Sequence, residues 1–272
     1  MVRTPAVAGQ FYPETERELR AAIASYCPPD LVPEPALGAV CPHAGYVFSG
    51  PVAGRLFASI RVPDAVVLLT PSHHFDRPAF ALWTGGAWQT PLGDMAIHSE
   101  LTEAIAGLPM VDPDDRPHLP EHSGEVVVPF IQYRNPQARM AVLCLTMSAK
   151  LQALRDFGEA LAGVLSDTGC ADALVVASSD MSHEQGREAL EAVKTGDQRA
   201  IEAMTALDPD RLYHVCRGEG VTMCGVLPAT ATLVASLSRG AGEGRLIARA
   251  TSADSPYGRG SYVVGYAGVV FK

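Results

Sequence analysis

No apolar run in the chain approaches the roughly 20 residues that a membrane-spanning helix needs, so no transmembrane helix and no membrane partner is expected. Basic charge is scarce: 21 Lys and Arg stand against 30 Asp and Glu, a formal net charge of −9 at pH 7. An electrostatic nucleic-acid binder normally carries a basic stripe, so the balance argues against nucleic acid as a partner. The six cysteines, at 27, 41, 144, 170, 216 and 224, include no C-x-x-C pair. In a chain of 272 residues they read as reduced thiols rather than a disulfide framework. The opening MVRTPAVAGQFYP lacks the long apolar core of a signal peptide, which with the reduced thiols points to the cytoplasm. H-E-x-x-H, G-x-S-x-G, G-x-x-x-x-G-K-[ST] and G-x-G-x-x-G are all missing. Their absence argues against a zincin protease, a nucleophile-elbow hydrolase, a P-loop protein and a dinucleotide binder. There is no internal repeat or low-complexity block, and the acidic Asp112–Asp115 cluster reads as a solvated loop.

What is present alternates. Ala39–Cys41, Ala65–Thr70, Met140–Thr146 and Leu174–Ala177 are short runs rich in Val and Leu, the signature of strands covered on both faces. Stretches of helical length lie between them. Glu16–Tyr26 places Leu19, Ile23 and Tyr26 at helical spacing, and Gly50–Ile60 does so with Val52, Leu56 and Ile60. Leu151–Leu165 and Glu188–Leu207 are the longest such stretches. The pattern predicts an α/β fold, a mostly parallel or mixed central sheet flanked by helices, in a single domain over residues 1–272. Ala79–His98 reads as short strands with Gly turns, a hairpin at the sheet edge, and two further strands follow Gly244 to close the sheet.

Three of the apolar runs end in ligand-type side chains: His43, the pair His73 and His74, and Asp180 with His183. In open α/β sheets ligands bind beyond the carboxyl ends of strands, so these residues are expected to converge. Adjacent residues in extended chain point to opposite sides, so only one of His73 and His74 should face the pocket. A helix opening after Leu174–Ala177 would be capped by Ser178 or Ser179 and would put Asp180 and His183 on one face. Asp180 then serves as a ligand, as acceptor for a histidine N–H, or as a second cap. Glu121–Glu125 (EHSGE) sets His122 between two carboxylates, which would raise its pKa and suit it to proton transfer; a solvated loop is the alternative. Cys224 precedes a helix expected to start near Val226, a position that lowers a thiol's pKa. Cys144 and Cys170 read as small buried hydrophobes, and His98, His118 and His214 carry no functional expectation.

VAGQFYP, PHAGYVFSG, PSHHF, EHSGEVVVPF, SSDMSH and MCGVLP occur in this order through nearly the whole length. On these segments the chain resembles the Memo family, related in fold to the class III extradiol ring-cleavage dioxygenases. The resemblance implies a pocket at one end of the sheet formed by His43, His73 and Cys224. Asp180 and His183 are implied beside it, and His122 is a further candidate. It implies a metal-binding redox protein, an iron- or copper-dependent oxidase or dioxygenase of a small organic substrate, with zinc less favoured. His122, His183 and Asp180 would be its catalytic groups. The alternatives are a non-catalytic module that binds a peptide in the same pocket, and a metal-dependent hydrolase. Val127, where relatives carry a polar residue, and Glu184, where they carry an aromatic, are departures expected to bear on the pocket wall.

Overall fold

The computed structural model describes residues 1–258 and 260–272. In chain order it contains β1 (Val2–Arg3), α1 (Glu16–Tyr26), β2 (Gly38–Cys41), α2 (Tyr46–Ser59), β3 (Ala65–Pro71), β4 (Phe80–Leu82), β5 (Ala87–Thr90), β6 (Gly93–Ala96), α3 (Ser99–Ala106) and β7 (Asp112–Pro113). There follow α4 (Val128–Arg134), β8 (Arg139–Leu145), α5 (Leu151–Asp167), β9 (Leu174–Ser178), β10 (His183–Gln185), α6 (Ala189–Thr205), α7 (Pro209–Gly218), α8 (Val226–Ser238), β11 (Gly244–Thr251) and β12 (Tyr262–Phe271).

The four apolar runs are the parallel heart of the main sheet, in the order β2-β9-β3-β8. Each is buried along nearly all its length because helices cover both faces. The two-residue period of a strand sorts their side chains. Val67, Leu69, Ala141, Leu143, Val175 and Ala177 enter one apolar layer, while Val66, Leu68, Met140, Val142, Leu174 and Val176 enter the other. At the edges β12 joins β2 and β4 joins β8, both antiparallel, so the sheet is mixed. β11 and β10 complete one side on β12, and β7 the other on β4. The chain is thus a single α/β domain.

Helix α1 follows from its local code. Thr15 caps it by accepting the Glu18 N–H, Glu16 and Glu18 sit in the first turn, and Leu19 and Ile23 are the buried stripe. Tyr26 and the backbone of α1 press so closely on α2 that a Cβ at Gly54 would lie 2.3 Å from the Tyr26 carbonyl oxygen. Helix α2 starts at Tyr46, earlier than expected, and carries Pro51 inside it. A proline there frees the carbonyl four residues back. That carbonyl, of Val47, accepts the Ser255 hydroxyl at 2.8 Å, so the helix tolerates the interruption. The Ala79–His98 segment divides. Phe80–Leu82 joins the main sheet, whereas the β5–β6 hairpin pairs with β1 in a separate three-stranded sheet. No helix among the described residues is long and apolar enough to cross a membrane.

Candidate metal centre

Because β2, β9 and β3 are parallel neighbours, their carboxyl ends lie side by side about 4.8 Å apart. The loops that leave them therefore deliver His43, Asp180 and His73 to one place. Cys224 arrives from across the sheet. Its delivery depends on Gly225, where a Cβ would stand 2.3 Å from the Ser178 carbonyl oxygen. The Gly225 N–H donates to Ser179 Oγ at 2.9 Å, so Ser179 ties the start of α8 to the end of β9. The cap expected for a local helix serves a distant one.

The donor atoms of His43, His73 and Cys224 lie within 4.8 Å of one another, and so do those of His73, Glu121 and His122. His43 Nε2 is 3.3 Å from Cys224 Sγ. Hydrogen bonds settle which nitrogen each ring offers. Ser178 Oγ donates to the Ser123 carbonyl at 2.6 Å, so it accepts from His43 Nδ1 at 2.7 Å. His43 Nε2 is left with a free lone pair beside the thiol. His73 Nδ1 lies 2.8 Å from Glu121 Oε1, and the His73 N–H donates to Oε2 at 2.7 Å, leaving Nε2 of this ring free as well. Such partners fix the tautomer and orientation of a metal-binding histidine. The His122 ring stacks on His73 at 4.9 Å and meets His43 edge-on at 5.5 Å.

Burial governs the electrostatics. It pushes His43 down to about 3, with His73 adding to the effect. It pushes His122 down to about 4 despite Glu121. The expected rise at His122 does not occur because burial and the neighbouring His43 outweigh Glu121, while Glu125 faces away. Glu125 instead accepts from Arg3 at 2.7 Å, from Tyr12 at 2.6 Å and from the Ala6 and Val7 amides. Desolvation would raise the Glu121 carboxyl, but its bonds with His73 and Ser123 hold it well below the usual range. The same Glu121 bond raises His73 against the effect of its burial. At Cys224 burial drives the thiol well up, and Asp180 reinforces it, so the helix N-terminus does not produce the lowered value expected.

Asp180 is 5% exposed and lies outside both donor groups. Its Oδ1 accepts the His43 and Ala44 amides at 2.8 and 3.2 Å, which shapes the loop carrying His43, and burial raises its pKa. No helix follows β9. The Met181 N–H goes to the Gly265 carbonyl and the His183 N–H to Thr222 Oγ1, so the chain runs extended into β10 and the helical face expected for Asp180 and His183 does not form. Both residues nevertheless line a cleft of about 410 Å³ that His122 also borders. His73 joins the cluster and His74 does not, although the two lie in a bend rather than in extended chain. Val127 is buried in the core, and neither it nor Glu184 is part of the cleft lining.

His98 caps α3, His118 is buried with Nε2 on the Ala81 carbonyl, and His214 is exposed on α7. The sequence reading missed the roles of Glu121, Ser123 and Ser178. It also missed Arg3, fully buried, whose guanidinium holds the His118 and Glu121 carbonyls and stacks 4.4 Å from the Trp88 ring centre.

An α/β sheet that gathers two oriented imidazoles and a thiol beyond its strand ends, beside a cleft, defines a class of candidate metal proteins. The family model described as Memo-like protein matches residues 3–270, and the chain belongs to that family. It is 41% identical to a MEMO1 family protein of Methanopyrus kandleri, over 100% of this chain and 99% of the relative. It is 38% identical to one of Aquifex aeolicus, over 99% of each. Among solved structures, an uncharacterized protein of Escherichia coli K12 shares the fold, with a TM-score of 0.52 and 13% identity, covering 86% of this chain and 99% of that one.

Proposed function

We propose that this Memo-family chain is a metal-binding redox protein that holds iron or copper between His43, His73 and Cys224. It would act as an oxidase or dioxygenase on a small organic molecule in the adjoining cleft. The observation that carries this reading is the convergence of two imidazole nitrogens, each with its partner nitrogen already occupied, on one thiol sulfur. Imidazole suits iron, copper and zinc, and a thiolate adds preference for softer ions, so the donor set fits the group. Bound iron or copper would supply electron exchange with dioxygen, which no side chain in the cleft can provide.

The chain's own groups supply the rest. Glu121 and Ser178 orient the two rings, and Asp180 holds the loop of His43. His122, at the border of cluster and cleft, has Nδ1 3.4 Å from Glu121 Oε1. With that hydrogen turned to Glu121, Nε2 accepts a proton from a bound molecule. His183 faces the cleft from β10 and is the second proton-transfer group. The test is an anaerobic titration with Fe(II) and with Cu(I), for the wild type and His73→Ala. One equivalent bound by the wild type and lost in a folded His73→Ala supports the reading. Stoichiometric metal retained by His73→Ala would sink the ligand assignment, and hydrolysis with zinc in the absence of oxygen would sink the redox chemistry.

A further inference from the structure

The cleft beside the cluster has a lining more specific than its volume. Its walls carry aromatic side chains from four separate segments: Phe11 in the loop before α1, Phe48 on α2, Tyr257 before β12, and Tyr262 and Tyr266 on β12. Among the described lining residues there is no Lys or Arg. The one carboxylate among the described lining residues is Asp180, and its two oxygens are not equivalent. Oδ1 is taken by the His43 and Ala44 amides, whereas Oδ2 has no hydrogen-bond partner among the described residues. Asp180 as a residue is 5% exposed, and its unpaired Oδ2 keeps some contact with the cleft, where a donor can reach it.

We infer that the cleft binds an organic cation with an aromatic body, an arylalkyl amine, whose ammonium donates to Asp180 Oδ2 while its ring packs among Phe11, Phe48, Tyr257, Tyr262 and Tyr266. Aromatic faces attract a cation through their quadrupole, and a flat ring buries apolar area against them. A ligand carboxylate or phosphate would meet Asp180 as a like charge. The volume suits a molecule of about ten to twenty heavy atoms rather than a folded partner. As the substrate class of the redox site this rests on the function proposed above; as a binding assignment it stands on the cleft.

The experiment is calorimetric titration of the purified full chain, metal-free and metal-loaded, with three probes of one shape: 3-phenylpropylamine, 3-phenylpropanol and 3-phenylpropionate. The expected order is amine, then alcohol, then carboxylate, with the amine at least tenfold tighter than the alcohol. Asp180→Asn should erase the difference between amine and alcohol. Tyr262→Ala, at a side chain already 57% exposed, should weaken both by severalfold and keep their order. Tighter binding of the carboxylate, an amine preference that survives Asp180→Asn, or no binding by a folded chain would each overturn the assignment. Metal content measured on the same samples separates the two claims. Amine binding by a chain that takes no metal contradicts the redox function alone, and metal without amine binding contradicts the ligand class alone.

Discussion

Ser178 Oγ has one proton, which goes to the Ser123 carbonyl, so His43 gives its Nδ1 hydrogen to Ser178 and turns an Nε2 lone pair toward Cys224. Glu121 does the same for His73 with a carboxylate. Outer partners of this kind are worth 10–100-fold in metal affinity. Glu121→Gln keeps an acceptor for the buried amides but removes the charge, and it should weaken metal binding by about that factor while the fold persists; a competition titration against a chelator measures it. Asp197 shows the opposite use of a carboxylate. Burial raises it to about 6, against a hydrogen bond from the Ser182 N–H. Its folded-state value lies above its unfolded one, so the folded chain binds the proton more tightly between about pH 4 and 6. The cost of ionising it is absent below that window and complete above it, about 3 kcal/mol from a shift of roughly two units. Asp197→Asn should therefore gain stability over the wild type at pH 7.5 and lose most of that advantage at pH 4.5, as urea midpoints at the two values will show. His43, His73 and Cys224 were legible as strand-end and helix-start residues. Ser178 was not, because its role depends on a loop 55 residues away.

Elements differ in how openly they declare themselves. Helix α1 carries its cap and its stripe within a dozen residues and was found with the right ends. Helix α2 was misplaced because Pro51 reads as a helix opener, while the hydroxyl that satisfies the freed Val47 carbonyl lies more than 200 residues on. Helices α3, α4 and α7, with 8, 7 and 10 residues, are too short for periodicity to stand out. The segment after β9 shows tertiary pairing overriding local preference: a capping serine was present, but Gly265 of β12 claims the Met181 N–H. The contact between α8 and β9 yields a prediction. With Gly225 against the Ser178 carbonyl, Gly225→Ala must push the start of α8 away from the strand. Cys224 moves with it, so metal affinity should fall at least tenfold, with a smaller loss of thermal stability. Unchanged affinity in a chelator competition would mean that the thiol does not hold the ion.

At the scale of the molecule, alternation of apolar runs and helical stretches was enough to name an α/β sheet, and six short segments in order were enough to name the family. Strand order was not readable, and strand order makes the site. Only because β9 lies between β2 and β3 do loops more than a hundred residues apart in sequence share one pocket. The N-terminal segment completes it, since Arg3 and Glu125 form a buried pair that fixes the loop of Glu121 and His122, and Phe11 packs edge-on to His122 at 4.9 Å. The central claim is that this convergence holds a redox metal. Its most direct test is metal content by mass spectrometry of protein purified without oxygen, for the wild type, Cys224→Ala, and His214→Ala as a surface control. The account predicts close to one iron or copper per chain in the wild type and in His214→Ala, and little in Cys224→Ala. A wild-type site that carries neither metal and refuses added Fe(II) and Cu(I), or a Cys224→Ala variant that retains a full equivalent, would contradict it.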